Sequence, residues 1–187
     1  MTSTQIAVLV IIVVAFVTMA IVLFLRNRTN RLRAQFGPEY NRALRETGNK
    51  YKAEAELERL EKRVRLYPLR PLSPVDRDRF QQSWRAIQAT FVDDPGRALS
   101  EADQLLGAVM SARGYPVSDF ERRAAEISVD HPVVVQHYRS GHDIAVRHSQ
   151  NKATTEDLRQ GMIDYRSLFE ELMEEPERLH TRAAGMA

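Results

Sequence analysis

Residues 6–25 form an unbroken apolar run in which Ile, Val, Leu and Phe fill 15 positions and Thr18 is the one polar side chain. As a helix that run is roughly 30 Å long, one hydrocarbon thickness, so it predicts a transmembrane segment. The Thr18 hydroxyl is expected to bond back to the helix backbone. After residue 25 the pattern becomes amphipathic. Tyr40, Leu44, Thr47 and Tyr51 recur at helical spacing, then Ala53, Leu57, Leu60, Val64 and Tyr67 resume in a shifted phase near Gly48 and Asn49. This predicts a charged helix from Pro38 to about Leu66. Its stripe either zips to a second copy as a short coiled coil or folds back on its own domain.

Three prolines, Pro68, Pro71 and Pro74, forbid a continuing helix and predict an extended linker. Five helices are expected beyond it. The first, capped by Ser73 with Pro74 at its first position, carries Phe80, Trp84, Ile87 and Phe91 on one face. The second starts at Asp94-Pro95, buries Leu99, Ala102, Leu105, Leu106, Val109 and Met110, and ends at Arg113-Gly114. Ser118 with Glu121 suggests a capping box for a short third helix to about Ile127. A fourth opens at Asp130-His131-Pro132, offers Val134, Val135, Tyr138, Ile144 and Ala145, and is interrupted by Gly141. Thr154 and Asp157 cap the last, whose stripe is Leu158, Met162, Tyr165, Phe169 and Leu172. No stretch alternates with period two long enough for a strand.

The predicted fold is therefore all-α: one N-terminal transmembrane helix, a charged juxtamembrane helix and a compact bundle of about five helices. The expected organisation is an extracytoplasmic N terminus at 1–5, the membrane helix at 6–25, and a basic segment with the amphipathic helix at 26–66. A Pro-rich linker follows at 67–73, the bundle at 74–175 and a flexible tail at 176–187.

Charge refines this picture. The chain has 187 residues with 27 Lys+Arg and 25 Asp+Glu, a formal charge of +2, and none of these charges precedes Arg26. Arg26, Arg28, Arg31 and Arg33 follow the apolar run with no acid before Glu39. The positive-inside rule puts that side in the cytosol and the N terminus outside, a single-pass arrangement. The same four arginines are candidate contacts for anionic headgroups. A cleaved signal peptide fits less well: no cation precedes the run, it is longer than a signal core, and no small-residue cleavage site follows it. The Asn27-Arg28-Thr29 glycosylation pattern touches the bilayer on the inner side and is read as chance.

Candidate chemistry is sparse. With no Cys in the chain there are no disulfides, thiolate metal sites or Cys nucleophiles. His131, His137, His142 and His148 crowd one segment beside Asp130 and Asp143. Their spacing puts His131 with His142 and His137 with His148, three turns apart, whereas ligands on one helix sit three or four residues apart. Glu177 and His180 have the spacing of a di-iron pair but occur singly in the tail. Phosphate loops, dinucleotide fingerprints and nucleophile elbows are lacking. Hence no cofactor is expected, and no catalytic residue. Acids alternate with bases, and Trp84 and the tyrosines lie on apolar stripes, which argues against nucleic acid. Glu170, Glu171, Glu174 and Glu175 form an acidic helix end that repels itself and opposes the helix dipole; it is a candidate docking surface for a basic partner.

Several strings occur together: FGPEYNR at 36–42, TFVDDP at 90–95, RGYP at 113–116, SVDHP at 128–132, TTEDLR at 154–159 and YRSLFEE at 165–171. In combination they resemble an uncharacterised bacterial family of small helical proteins with one N-terminal membrane helix, over most of residues 33–172. The resemblance implies a bacterial source and a helical domain, and it transfers no catalytic residue. The expectation is a docking or assembly module of a bacterial inner membrane, not an enzyme. Its partners are the lipid bilayer, a protein of unknown identity and, through the 40–64 helix, a second copy. The contrasting readings are a metal-assisted helical enzyme using the 131–148 segment and a domain facing the envelope.

Overall fold

The computed structural model describes residues 3–116 and 119–174, with side chains from residue 11 onward. All regular structure among these residues is helical: α1 (Ser3–Phe36), α2 (Pro38–Thr47), α3 (Lys50–Val64), α4 (Pro74–Asp93), α5 (Pro95–Ala112), α6 (Phe120–Ile127), α7 (Val135–Ser149) and α8 (Thr155–Met173). The expected N terminus at 1–5 falls partly, and the tail at 176–187 wholly, outside the described residues. The chain divides into two compact units, 1–58 and 59–187.

In the first unit α1 does not end with the apolar run but continues to Phe36. Its apolar part is a bare surface: Ile11, Phe16 and Phe24 are 66, 75 and 70% exposed. It is a helix long and apolar enough to cross a membrane, close to the N terminus. The Thr18 hydroxyl donates to the carbonyls of Val14 and Ala15, at 2.5 and 3.1 Å, so its polarity is satisfied within the helix. Farther along, Thr29, Leu32 and Phe36 are buried, and α1 packs on α2.

The single charged helix expected from Pro38 to Leu66 is two. Gly48, at φ +63°, closes α2 in the left-handed conformation and donates to Leu44 O. The Asn49 side-chain oxygen Oδ1 then accepts from the backbone N–H groups of Tyr51 and Lys52, at 2.9 and 3.2 Å, and starts α3. The phase shift in the sequence marks this chain reversal.

The second unit begins at Arg59, so the proline-rich stretch 67–73 lies inside it. That stretch is tied down: Arg70 donates its backbone N–H to Arg113 O and its Nε to Ala112 O, both at 3.0 Å. The Tyr67 ring meets that of Tyr115 edge-on, with centroids 6.5 Å apart. The starts of α4, α5, α6 and α8 are capped by local side chains. Ser73 accepts from Asp76 N, Asp94 from Arg97 N, and Thr154 and Asp157 form a reciprocal capping box. For α6 the cap is Asp119, which accepts from Arg122 N at 2.9 Å; Ser118, the expected cap, lies outside the described residues.

Helix α5 is the centre of the bundle and packs on α4, α7 and α8, while α7 packs on α8. Its Ala98, Leu99, Ala102, Leu106, Val109 and Met110 are all essentially inaccessible. Phe80, Trp84 and Ile87 of α4 and the whole predicted stripe of α8 are buried as well. Trp84 stacks on Phe169 with centroids 4.7 Å apart and planes 12° from parallel. The fourth bundle helix, α7, opens at Val135 rather than at Asp130, because residues 132–134 form turns after Pro132. Gly141 does not interrupt it, since α7 runs through to Ser149.

Candidate functional site

A helix rotates its side chains by about 100° per residue, so four arginines spaced over eight residues cannot act as one patch. Arg28 turns inward. Its Nε donates to Glu58 Oε1 at 2.7 Å and its Nη2 to Oε2 at 3.0 Å, a two-pronged pair. Arg31, about half exposed, has its Nη2 3.8 Å from the same carboxylate. Arg33 lies over the Tyr40 ring at 5.2 Å, and Arg26 is exposed. One turn before Glu58, the buried Glu54 accepts from the hydroxyls of Thr29, at 2.7 Å, and Tyr40, at 3.0 Å. Burial first, and Glu54 second, push the Tyr40 phenol above its usual range, so it stays a donor at neutral pH.

These contacts set the use of the 40–64 region. Ala53, Leu57, Leu60 and Val64 are buried. Tyr51 is its exposed member, at 63%. Sequence reasoning did not single out Glu54 or Glu58 as site residues. The signal that could have found them is the four-residue spacing of two acids opposite Arg28 and Thr29. Phe24, Asn27, Arg28, Arg31 and Glu58 together line an open groove of about 480 Å³, at the end of the apolar run.

The bundle holds a second polar set that spacing alone did not reveal. Asp103 of α5 lies 3.4 Å from the Tyr165 hydroxyl and 3.8 Å from Arg123 Nη2. Tyr138 is fully buried near the same Asp103, and burial pushes both phenols up. Neither phenol can act as a base near neutral pH. His142 stacks on Phe120 with centroids 3.5 Å apart, and burial lowers its pKa. Another buried acid, Glu126, accepts from the Tyr67 hydroxyl at 2.7 Å and is flanked by Arg63 and Arg122, each at 4.0 Å. Such groups fix how the helices meet.

The other histidines are dispersed. His131 Nδ1 pairs with Glu171 Oε1 at 2.8 Å, and His137 Nδ1 with Asp164 Oδ1 at 2.9 Å. Among the described residues no three His, Asp or Glu side chains gather where they could hold a metal ion; Glu177 and His180 lie outside those residues. The acidic end of α8 is likewise divided. Glu170 pairs with Arg166 at 2.7 Å, Glu171 with His131, and the Glu174 carbonyl accepts from the buried Arg113. Glu175 lies outside the described residues. Glu170 and Glu174 do border an open groove of about 540 Å³ between α4 and α8, alongside Arg85, Arg166 and the Trp84–Phe169 stack. The chain matches no protein-family model, and no curated protein or solved structure is significantly similar to it.

Proposed function

We propose that this chain is a membrane-anchored helical docking or assembly module of a bacterial inner membrane, with its N terminus outside and its bundle in the cytosol. One observation carries the reading. Helix α1 runs without a break from an uncovered apolar surface into residues that are buried and hydrogen-bonded, Thr29 to Glu54 and Arg28 to Glu58. A leader removed by cleavage would not be expected to extend into a folded core, whereas an anchor coupled to the domain beside it would. The four arginines support the orientation, since each guanidinium resists transfer through the hydrocarbon. Glu170 and Glu174, on the rim of the α4–α8 groove, are the surface on which a basic protein partner would dock.

The proposed role is non-enzymatic. Reporter fusions at the C terminus test the location. A reporter that works only in the cytosol should be active and one that works only outside it silent; the reverse pattern overturns the orientation. Release of the intact chain by carbonate washing of membranes would overturn the anchor.

A further inference from the structure

Resting on the proposed docking role of Glu170 and Glu174, we infer that the groove between α4 and α8 takes an extended strand of a partner protein that carries one basic side chain. The floor limits what can bind. Trp84, Phe169 and Met173 line it, yet they are only 6, 5 and 7% exposed. An amphipathic helix docks by covering an apolar face, and a floor already buried to that degree offers it almost nothing to cover. Recognition therefore comes from the walls.

One wall offers hydrogen bonds. Gln81, Arg85 and Gln88 of α4 follow one another at four- and three-residue steps, and all three are exposed. From Gln81 to Gln88 the helix rises roughly 10 Å, the span of about three residues of extended chain. A strand presents an N–H and a C=O at every residue, and each glutamine amide carries both a donor and an acceptor to meet them. A helical peptide has those groups paired internally. The other wall sets the charge. Arg166, Glu170 and Glu174 follow at four-residue steps along α8, with Arg166 Nε 2.7 Å from Glu170. The two acids stand at the C-terminal end of α8, where the helix dipole is also negative. A Lys or Arg is the complement at that end. Arg85 and Arg166 repel further cations along the groove, so a single basic residue fits better than a polybasic segment.

Random linear peptides displayed on phage and selected against the full chain in neutral detergent test this. The enriched peptides should share one Lys or Arg, and a synthetic peptide of the consensus should shift the emission of Trp84, the one tryptophan of the chain. Gln81→Ala combined with Gln88→Ala should weaken its binding about ten-fold, as the loss of two hydrogen bonds would. Glu174→Gln should weaken it about three-fold, as the loss of one exposed ion pair would. Peptides whose apolar residues recur at three- and four-residue steps would mark a helical occupant, and a polybasic consensus a diffuse attraction; either overturns the inference. So does a consensus matching residues 175–187, which would make the chain's own tail the occupant, or self-association lost in Glu174→Gln, which would make it a second copy. Binding that leaves the Trp84 emission unchanged lies elsewhere and overturns it as well. Binding that responds to Glu174→Gln but not to the paired glutamine change leaves the docking surface standing and refutes the extended strand alone. No enrichment, or binding indifferent to all three substitutions, refutes the docking surface too.

Discussion

Gly141 of α7 lies flush against the ring of Tyr165 of α8: a Cβ placed on it would fall 2.6 Å from Cδ1 and Cε1 and 3.2 Å from Cζ. Tyr165 is completely buried. The glycine therefore sets how closely the two helices approach, which in turn aligns the Tyr165 hydroxyl with Asp103.

Gly141→Ala should destabilise the bundle. Alanine gains about 1 kcal/mol of helix propensity, but forcing apart a filled contact costs about 1–3 kcal/mol. Trp84 is the one tryptophan in the chain and stacks in the core on Phe169, so its fluorescence in a thermal melt reports this unit. The melting temperature should fall, and fall equally in a Tyr165→Phe background, because the clash is with the ring and not the hydroxyl. An unchanged or raised melting temperature would show that α7 and α8 can separate at little cost.

What the sequence disclosed follows the range of the forces involved. The stripes Phe80–Trp84–Ile87 and Leu158–Met162–Tyr165 were readable because burial of one helix face repeats within a turn. The Thr154–Asp157 box was readable for the same reason, as donor and acceptor lie three residues apart. Gly141 looked like an interruption because its reason is a ring on another helix, 24 residues away in sequence. Glu54 and Glu58 drew no attention as site residues in the sequence because their partners, Thr29 and Arg28, sit some 25 to 30 residues earlier. The Arg26–Arg33 run was legible as charge but not as geometry: only the return of α3 onto α1 shows that Arg28 and Arg31 both meet Glu58.

Glu54 is the polar centre of the first unit, and its role as an acceptor should outweigh its charge. Glu54→Ala leaves the Thr29 and Tyr40 hydroxyls without their shared partner, at a cost of about 1–3 kcal/mol for each buried group left unpaired. Amide hydrogen exchange should quicken across residues 29–36 and 38–47. Glu54→Gln keeps a carbonyl oxygen in place and should quicken it far less. If the two variants behaved alike, the charge facing Lys50 Nζ, 3.9 Å away, would be the dominant contribution instead.

His142 gives the bundle a pH dependence whose sign follows from its surroundings. Burial lowers its pKa; Asp103, Glu121 and Asp143 pull it back up, Arg123 pushes with the burial, and the net direction is down from the ordinary 6.5. Above that value the ring is neutral in folded and unfolded chains alike, and its packing against Phe120 contributes in full. As pH falls through 6.5 toward the folded value, the unfolded chain takes up the proton first, and stability is lost. His142→Phe keeps an aromatic ring on Phe120 and cannot titrate. The drop in melting temperature between about pH 7.5 and pH 5.5, followed by Trp84 fluorescence, should be smaller in this variant than in the parent. The His131–Glu171 and His137–Asp164 pairs are present in both proteins, so their contributions cancel in the comparison. Equal drops would mean that the His142 ring takes up its proton as easily in the folded bundle as in the unfolded chain, and that its stacking on Phe120 leaves it open to water.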